Sequence, residues 1–251
     1  MRDLLDVKLL SQPFGLVLNP DLKLENGRLI GQMYSRLENC ISVLSDMKSR
    51  KSYISYGAIA DELGVNRRDQ EIKSIWEDEL LSRVHPDDLQ KKYRLEFRFF
   101  QLLNAMDATE RMDYQVITSL RIRNTHGRYM LIKHRLLYIS SAEDGSIWLA
   151  LCLYNRIHEH AGFSIPQGVI INSKSGEVLQ YNHDQLNDLL SPREEEVLQM
   201  IRNGKRSKEI ADELVLSIHT VNRHRQNIFQ KLNVTTAIAA CRLAETLGLL
   251  P

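Results

Sequence analysis

Apolar positions along the 251-residue chain follow two periods, and the change of period divides it. Between 112 and 154 they alternate. Val116, Thr118, Leu120 and Ile122 share one side of a strand predicted over Met112–Asn124. A Thr125-His126-Gly127 turn leads to a second predicted strand, Arg128–Ser140, where Met130, Ile132, His134, Leu136 and Tyr138 form an almost wholly apolar face. Asp144-Gly145 marks a tight hairpin. The third strand, Ile147–Tyr154, is apolar on both faces, so an N-terminal helix or a second subunit must cover its outer side. Ahead of these strands, Val84-His85-Pro86-Asp87-Asp88 opens a helix running through Phe100 to Leu103, with proline and acids suited to a first turn. Asp87 and Asp88 are adjacent and do not share a helix face, which argues against a catalytic carboxylate pair. Ser52–Tyr56 reads as an early strand. Leu29, Ile30, Met33, Leu37 and Ile41 read as one side of a helix, and Pro166–Tyr181 as a hairpin turning at Ser173-Lys174-Ser175-Gly176. The polar run Asn182-His183-Asp184-Gln185 is the expected domain boundary.

Beyond it the period becomes helical. Ser191-Pro192-Arg193-Glu194 is a capping box opening a first helix, which buries Val197, Leu198 and Ile201 and stops at Gly204. A second helix is expected over Ser207–Leu214, burying Ile210, Ala211 and Leu214. Ser217 caps a third after only two or three residues, with Leu216 and Val221 as a hydrophobic staple; so short a gap makes the two helices cross steeply, as in a helix-turn-helix. A fourth is expected over Thr236–Leu247. At about 100° per residue from Ile218, Val221, Ile228 and Leu232 fall near 300°, 280° and 320°, a narrow buried stripe. The opposite side carries His219, Arg223, Gln226, Asn227 and Gln230, and no carboxylate stands between Ser217 and Leu232. Arginine pairs bidentately with guanine and Asn or Gln with adenine in the major groove, and a carboxylate-free face lets a phosphate backbone approach.

Composition narrows the classes. The chain carries 33 basic and 32 acidic side chains, 43% hydrophobic residues and 26% charged ones, an ordinary globular balance for one large or two modest domains. The longest apolar run, Ile147–Tyr154, is far below the roughly 18 residues of a membrane helix. The opening Met1-Arg2-Asp3, soon followed by Asp6 and Lys8, holds no signal-peptide core. Cys40, Cys152 and Cys241 are odd in number and widely spaced, which speaks against a disulfide framework or zinc knuckle and for a reducing cytoplasm. Residues 189–251 hold nine basic against seven acidic side chains.

Leu190-Ser191-Pro192-Arg193-Glu194, Lys208-Glu209-Ile210-Ala211, Thr220-Val221-Asn222-Arg223-His224, Asn227-Ile228 and Lys231-Leu232 together resemble the LuxR-type helix-turn-helix over about the last sixty residues. The resemblance implies that the third helix enters the major groove and that the fourth pairs two subunits. Asn222, Arg223 and Gln226 match the family's base-contacting positions; Lys208, Thr220 and His224, with Arg225 and Lys231, lie where it contacts or supports the backbone. Asn222 stands where the family often has lysine, so the sequence read must differ. Arg225 falls near 340°, on the buried side, to snorkel toward phosphate or pair with Asp212 or Glu213. Ala237 replaces a basic residue common early in the fourth helix.

Trp76, the His85-Pro86-Asp87-Asp88 helix start and strands broken at His126-Gly127-Arg128-Tyr129 resemble a PAS domain over roughly residues 42–155. That implies an antiparallel sheet with flanking helices, cupping a pocket for a ligand, a cofactor or only side chains. The even positions Met130, Ile132, His134, Leu136 and Tyr138 are the candidate pocket wall. The whole is then an α+β PAS-like domain followed by an all-α four-helix helix-turn-helix domain. Its divisions are an N-terminal helical segment at 1–41, the PAS-like domain at 42–181, a linker at 182–188 and the DNA-binding domain at 189–251.

No cofactor is identifiable. The family's haem ligand lies on the helix before the strands, and Tyr93–Leu103 has no histidine; the flavin-type Asn-Cys-Arg stretch is absent; Cys152, among apolar neighbours, is an inert thiol. His158 and His160 lack companions for a metal. No G-x-S-x-G, P-loop or H-E-x-x-H motif supports catalysis, and the opening segment lacks the acidic cluster of a receiver domain. The expected function is a cytoplasmic, sequence-specific DNA-binding transcriptional regulator acting as a homodimer on double-stranded DNA, away from membranes. Its PAS-like domain either senses a small ligand or state, or serves only for protein docking and dimerisation.

Overall fold

A computed structural model describes residues 1–65, 70–157, 168–180, 190–232, 234–246 and 249–250. His158, His160 and the Asn182–Gln185 run lie outside these residues. The chain forms two compact units, Arg2–Tyr181 and Asn182–Pro251. No described helix is long and apolar enough to cross a membrane.

The first unit runs α1 (Arg2–Leu10), α2 (Pro20–Leu37), β1 (Ile41–Asp46), β2 (Lys51–Tyr56), α3 (Ile59–Leu63), β3 (Gln70–Ile72), α4 (Asp78–Leu81), α5 (Pro86–Asn104), a 3-10 turn at Arg111–Asp113, β4 (Tyr114–Arg123), β5 (Tyr129–Ser141), β6 (Ile147–Arg156), β7 (Gly168–Asn172) and β8 (Val178–Gln180). The strands form one antiparallel sheet in the order β3-β2-β1-β6-β5-β4-β7-β8. Strand β1, the first strand of the chain, thus pairs with the last strand of the β4-β5-β6 meander and carries β2 beyond it, and the helices that connect β2 to β4 crown one face. This is the PAS-like α+β arrangement. The β7–β8 hairpin extends it past β4, turning at Ser173–Gly176, and β7 packs on α5, where a Cβ on Gly168 would stand 3.1 Å from Leu95 Cδ2.

Strand alternation sorts the side chains into two layers. On the inner face the pairings His134 with Tyr154, Leu136 with Cys152 and Tyr138 with Ala150 continue into Ile41, Val43 and Ser45 of β1. Helix α5 crosses this face, and Phe99 stacks on Tyr138 at 5.4 Å between ring centres. The outer face of β6 is also buried, as a doubly apolar strand requires, and its cover is α2. That helix packs unexpectedly. Its buried residues are Gly27, Gly31 and Ser35, whereas Leu29, Ile30, Met33 and Leu37 of the apolar series are exposed, and Ile41 belongs to β1. Periodicity identifies residues sharing a side but not which side faces in. Here close approach decides: Ser42 Oγ donates to the Gly31 carbonyl at 2.8 Å, and a Cβ on Gly27 would meet Leu44 Cδ2 at 3.0 Å.

The His85-Pro86-Asp87-Asp88 motif works as a helix start. His85 Nδ1 accepts from the Asp87 amide at 3.3 Å. Asp88 accepts from the Arg121 amide at 2.8 Å and from its guanidinium at 2.8 and 2.7 Å, tying α5 to β4. Burial pulls the Asp88 carboxyl upward, but these Arg121 contacts outweigh it and hold the group below its ordinary value. A depressed carboxylate stabilises the fold above the unfolded-state pKa, and that contribution disappears as pH falls through the folded-state value. Because the Arg121 side chain is 44% exposed and solvent-screened, Asp88→Asn is expected to cost only about 1–2 kcal/mol at neutral pH. Urea titrations at pH 7 and pH 3 check this: the wild-type advantage should be smaller at pH 3 than at pH 7.

Candidate nucleic-acid interface and interior cavity

The second unit contains α6 (Pro192–Arg202), α7 (Ser207–Leu214), α8 (Ile218–Leu232) and α9 (Ala237–Thr246). Ser191 Oγ accepts from the Glu194 amide at 3.3 Å while Glu194 Oε2 accepts from the Ser191 amide at 2.7 Å, the reciprocal box expected from the sequence. Gly204 takes φ +81° after α6, a left-handed turn that suits glycine. Ser217 Oγ accepts from the Thr220 amide at 3.0 Å, capping α8. Val221, Ile228 and Leu232 of α8 are fully buried with Val197, Leu198, Ile210 and Ala211. Leu214, counted with the core of α7 in the sequence, is only half-buried.

Burying that stripe aims the opposite side outward. Asn222, Arg223 and Gln226 are exposed and open, with Ser217, His219 and Thr220, onto one shallow depression. Helix α8 carries no acid to repel phosphate. Lys208 is exposed on α7, and Thr220 Oγ1 lies 2.8 Å from Ser217 Oγ, holding the start of the helix. Lys231 Nζ stands 2.6 Å from Glu194 Oε2 and so fastens α8 to the start of α6. Among the described residues Arg225 forms no ion pair: Glu213 pairs with Lys205, and the Arg225 guanidinium instead lies 5.9 Å from the Phe229 ring centre. His224 is half-buried, its Nδ1 without a hydrogen bond among the described residues.

The PAS-like unit holds a different kind of site. A cleft of about 250 Å3 lies against β1 and β2 below α4, walled by Ile41, Val43, Ile54 and Leu80, with Trp76 and Glu77 at its inner end. Trp76 and Glu77 also wall a second chamber of about 30 Å3, reaching Lys92, Glu96, Tyr138 and Cys152. Of the wall proposed along β5, Leu136 and Tyr138 line the small chamber. Ile132 and His134 are buried but line neither space, and Met130 is half-buried and likewise outside both.

Charges are sunk here. Lys92 and Glu96 are 1% and 3% exposed, with Nζ 2.8 Å from Oε1. Burial works against the Lys92 ammonium, but the Glu96 and Glu77 carboxylates outweigh it and hold its pKa above the usual lysine value, so it stays charged; burial raises Glu96. Tyr154 donates to Glu77. His134, wholly buried, has no hydrogen bond at either ring nitrogen among the described residues, and its Nε2 lies 3.8 Å from Glu96 Oε1; burial and the Lys92 charge push it well below its ordinary value, so it is neutral. Helix α1 closes the chamber: Leu5 and Leu9 line it, Trp76 Nε1 donates to Asp6 at 2.8 Å, and Arg2 pairs with Asp78 at 2.6 Å. Sequence reading missed Trp76, Glu77, Lys92 and Glu96 as a group.

Residues 188–244 match the family model GerE, bacterial regulatory proteins, luxR family. YgeK, an uncharacterized response regulatory protein of Escherichia coli K12, is 48% identical over 59 residues, 24% of this chain and 40% of YgeK. The response regulator GacA of Pseudomonas aeruginosa is 40% identical over 67 residues, 27% of this chain and 31% of GacA. The chain thus spans less than half the length of either relative. Among solved structures, a Vibrio cholerae VqmA dimer aligns over 90% of this chain and 88% of its own at 16% identity and TM-score 0.32. Escherichia coli SdiA aligns over 68% and 94% at 15% identity and TM-score 0.24. The capping box, the closely joined and packed α7–α8 pair, the carboxylate-free face of α8 and the family match converge on one assignment: the chain carries a C-terminal LuxR-type helix-turn-helix DNA-binding domain, joined to an N-terminal PAS-like domain.

Proposed function

We propose that the chain is a cytoplasmic, sequence-specific transcriptional regulator that binds double-stranded DNA as a homodimer, with a PAS-like domain that senses a small molecule and controls that binding. The observation that carries the reading is the gathering of Asn222, Arg223 and Gln226 on the exposed, acid-free side of α8. Arg223 suits guanine, and Asn222 and Gln226 suit adenine. Relatives bear names of the same kind, such as the transcriptional activator AnoR of Acinetobacter nosocomialis, 46% identical over 66 residues. Repeated selection of random duplex DNA by the full-length chain tests it. The expected product is a two-fold site with half-sites about 10–10.5 base pairs apart. Failure to enrich any sequence over non-specific duplex would sink the proposal.

The second copy docks on α2. Leu22, Leu29, Met33 and Leu37 are each between 52% and 78% exposed, and at about 100° per residue they fall within roughly 80° of one another. The stripe follows an 18-residue helix about 27 Å long, enough for a symmetric helix pair, and a two-fold operator needs such an axis in the protein. Leu29→Glu with Met33→Glu should leave the fold intact, since neither residue is buried, while converting dimer to monomer and weakening DNA binding at least tenfold. Sedimentation velocity reads the first effect and gel shift the second; a variant that stays dimeric removes α2 from the interface. The same stripe favours a second reading, in which the PAS-like domain only dimerises and holds no ligand.

A further inference from the structure

Two side chains at the head of α8 serve neither the core nor the solubility of the helix-turn-helix unit. Val215, in the turn between α7 and α8, is 90% exposed and takes φ +54° and ψ +46°. Left-handed backbone suits glycine or asparagine, and a β-branched residue there is a genuine outlier. The other described non-glycine residues at positive φ are Phe14, Asn19, Asn39 and Arg50, so Val215 alone among them is β-branched. The turn itself asks for no apolar side chain, since the Val215 and Leu216 amides close it by donating to the Ala211 carbonyl. The valine thus strains the backbone and gains no burial in return. Strain retained without a benefit to folding points to a contact outside the chain.

Ile218, the first residue of α8, is 48% exposed. Val215, Ile218 and Ile238 are the large apolar residues exposed in the described part of this unit, and two of the three stand within four residues of each other. At about 100° per residue Ile218 and Asn222 lie roughly 40° apart, one turn along the same side, and Gln226 follows at about 80°. The N-terminal end of the second helix of a helix-turn-helix is where base edges are met. Asn222 and Gln226 suit adenine, and the thymine paired with an adenine shows its C5-methyl group in the same groove. An apolar residue one turn ahead of an adenine reader has a matching apolar group in that base pair or the next.

We propose that Ile218 and Val215 are specificity residues that select thymine, packing on the C5-methyl groups of A·T pairs at or beside the one that Asn222 reads. The proposal rests on the DNA-binding reading above and goes beyond its polar contacts. Asn222, Arg223 and Gln226 read hydrogen-bonding edges; the apolar pair reads methyl groups. Asparagine would fit the left-handed turn better than valine, so backbone comfort and recognition oppose each other at position 215.

The test uses the full-length chain and the duplex it selects from random sequence, with each thymine replaced in turn by deoxyuridine. That exchange keeps every hydrogen-bonding group and removes only the methyl. Loss of a contacted methyl should weaken wild-type binding about fourfold, at one or two thymines of each half-site and nowhere else. Ile218→Ala and Val215→Asn should each bind the thymine duplex more weakly and cease to distinguish uracil at the position contacted. Val215→Asn should also melt no lower than wild type, which separates a lost contact from a lost fold; should Ile218→Ala fail to fold, Val215→Asn still decides. Wild-type binding indifferent to every uracil, discrimination that survives in both variants, or a selected site without thymine overturns the proposal and leaves the DNA-binding reading standing. Selection that enriches no site removes both.

Discussion

Alanine at Arg223 lowers affinity for the selected operator by about 1–3 kcal/mol, roughly five- to 150-fold, and relaxes the preference at a single base position in each half-site. The expectation follows from placement. Arg223 is exposed beside Asn222 and Gln226, so the substitution leaves the buried stripe of Val221, Ile228 and Leu232 untouched and folding stability should not change. A phosphate contact would behave otherwise, weakening all sequences alike and reducing the salt dependence of binding by about one counterion. Parallel selections with wild type and Arg223→Ala, each at two salt concentrations, separate the two. Unchanged specificity with a shallower salt slope would move Arg223 to the backbone.

Gly57→Ala should be the most damaging small change in the PAS-like unit. A Cβ on Gly57 would lie 2.5 Å from both the Asn39 carbonyl carbon and the Ser35 carbonyl oxygen, and 2.7 Å from the Cys40 nitrogen. These are main-chain atoms of the last turn of α2 and the link from it into β1, and Gly57 itself donates to the Cys40 carbonyl at 2.8 Å. A flexible side chain could swing away; a turn hydrogen-bonded on both sides cannot. The expected loss is about 3 kcal/mol, measured by urea unfolding. Gly127→Ala is the control: its Cβ meets nothing within 4 Å, so only its left-handed backbone at φ +76° opposes the change, worth about 1 kcal/mol. Equal losses at the two glycines would refute the steric argument.

What the sequence makes legible tracks how local the cause is. The C-terminal helices announce themselves because caps, phase and short connections all act within a few residues; the outward side of α8 follows from the phase of Val221, Ile228 and Leu232 alone. The β4–β5–β6 meander is legible for the same reason, its alternation and turns being neighbours in the chain. The cavity depends on distant partners. Trp76, Lys92 and Tyr154 come together only through the sheet order, and α1, whose Asp6 holds Trp76, lies seventy residues away from it in sequence. One signal was present nonetheless. Lys92 and Glu96 look like a solvent-exposed pair four residues apart, but at about 100° per residue they share the phase of Phe99 and Leu103, both fully buried. Charges in phase with a core stripe mark a buried polar site. Helix α2 teaches the converse: its large apolar residues keep phase, yet glycines at 27 and 31 are what the sheet accepts.

Leu95 lies over Gly168 with no room for a side chain between them. Leu95 sits on the same helix as Lys92 and Glu96, and the glycine it presses against begins β7, the strand that leads through β8 to the end of the sheet. Strand β7 is zipped to β4 from Tyr114–Asn172 to Thr118–Gly168, so it cannot absorb a push by bending alone. A side chain at position 168 would therefore have to displace Leu95 or part β7 from β4, so this glycine sets how closely α5 can lie on the far edge of the sheet.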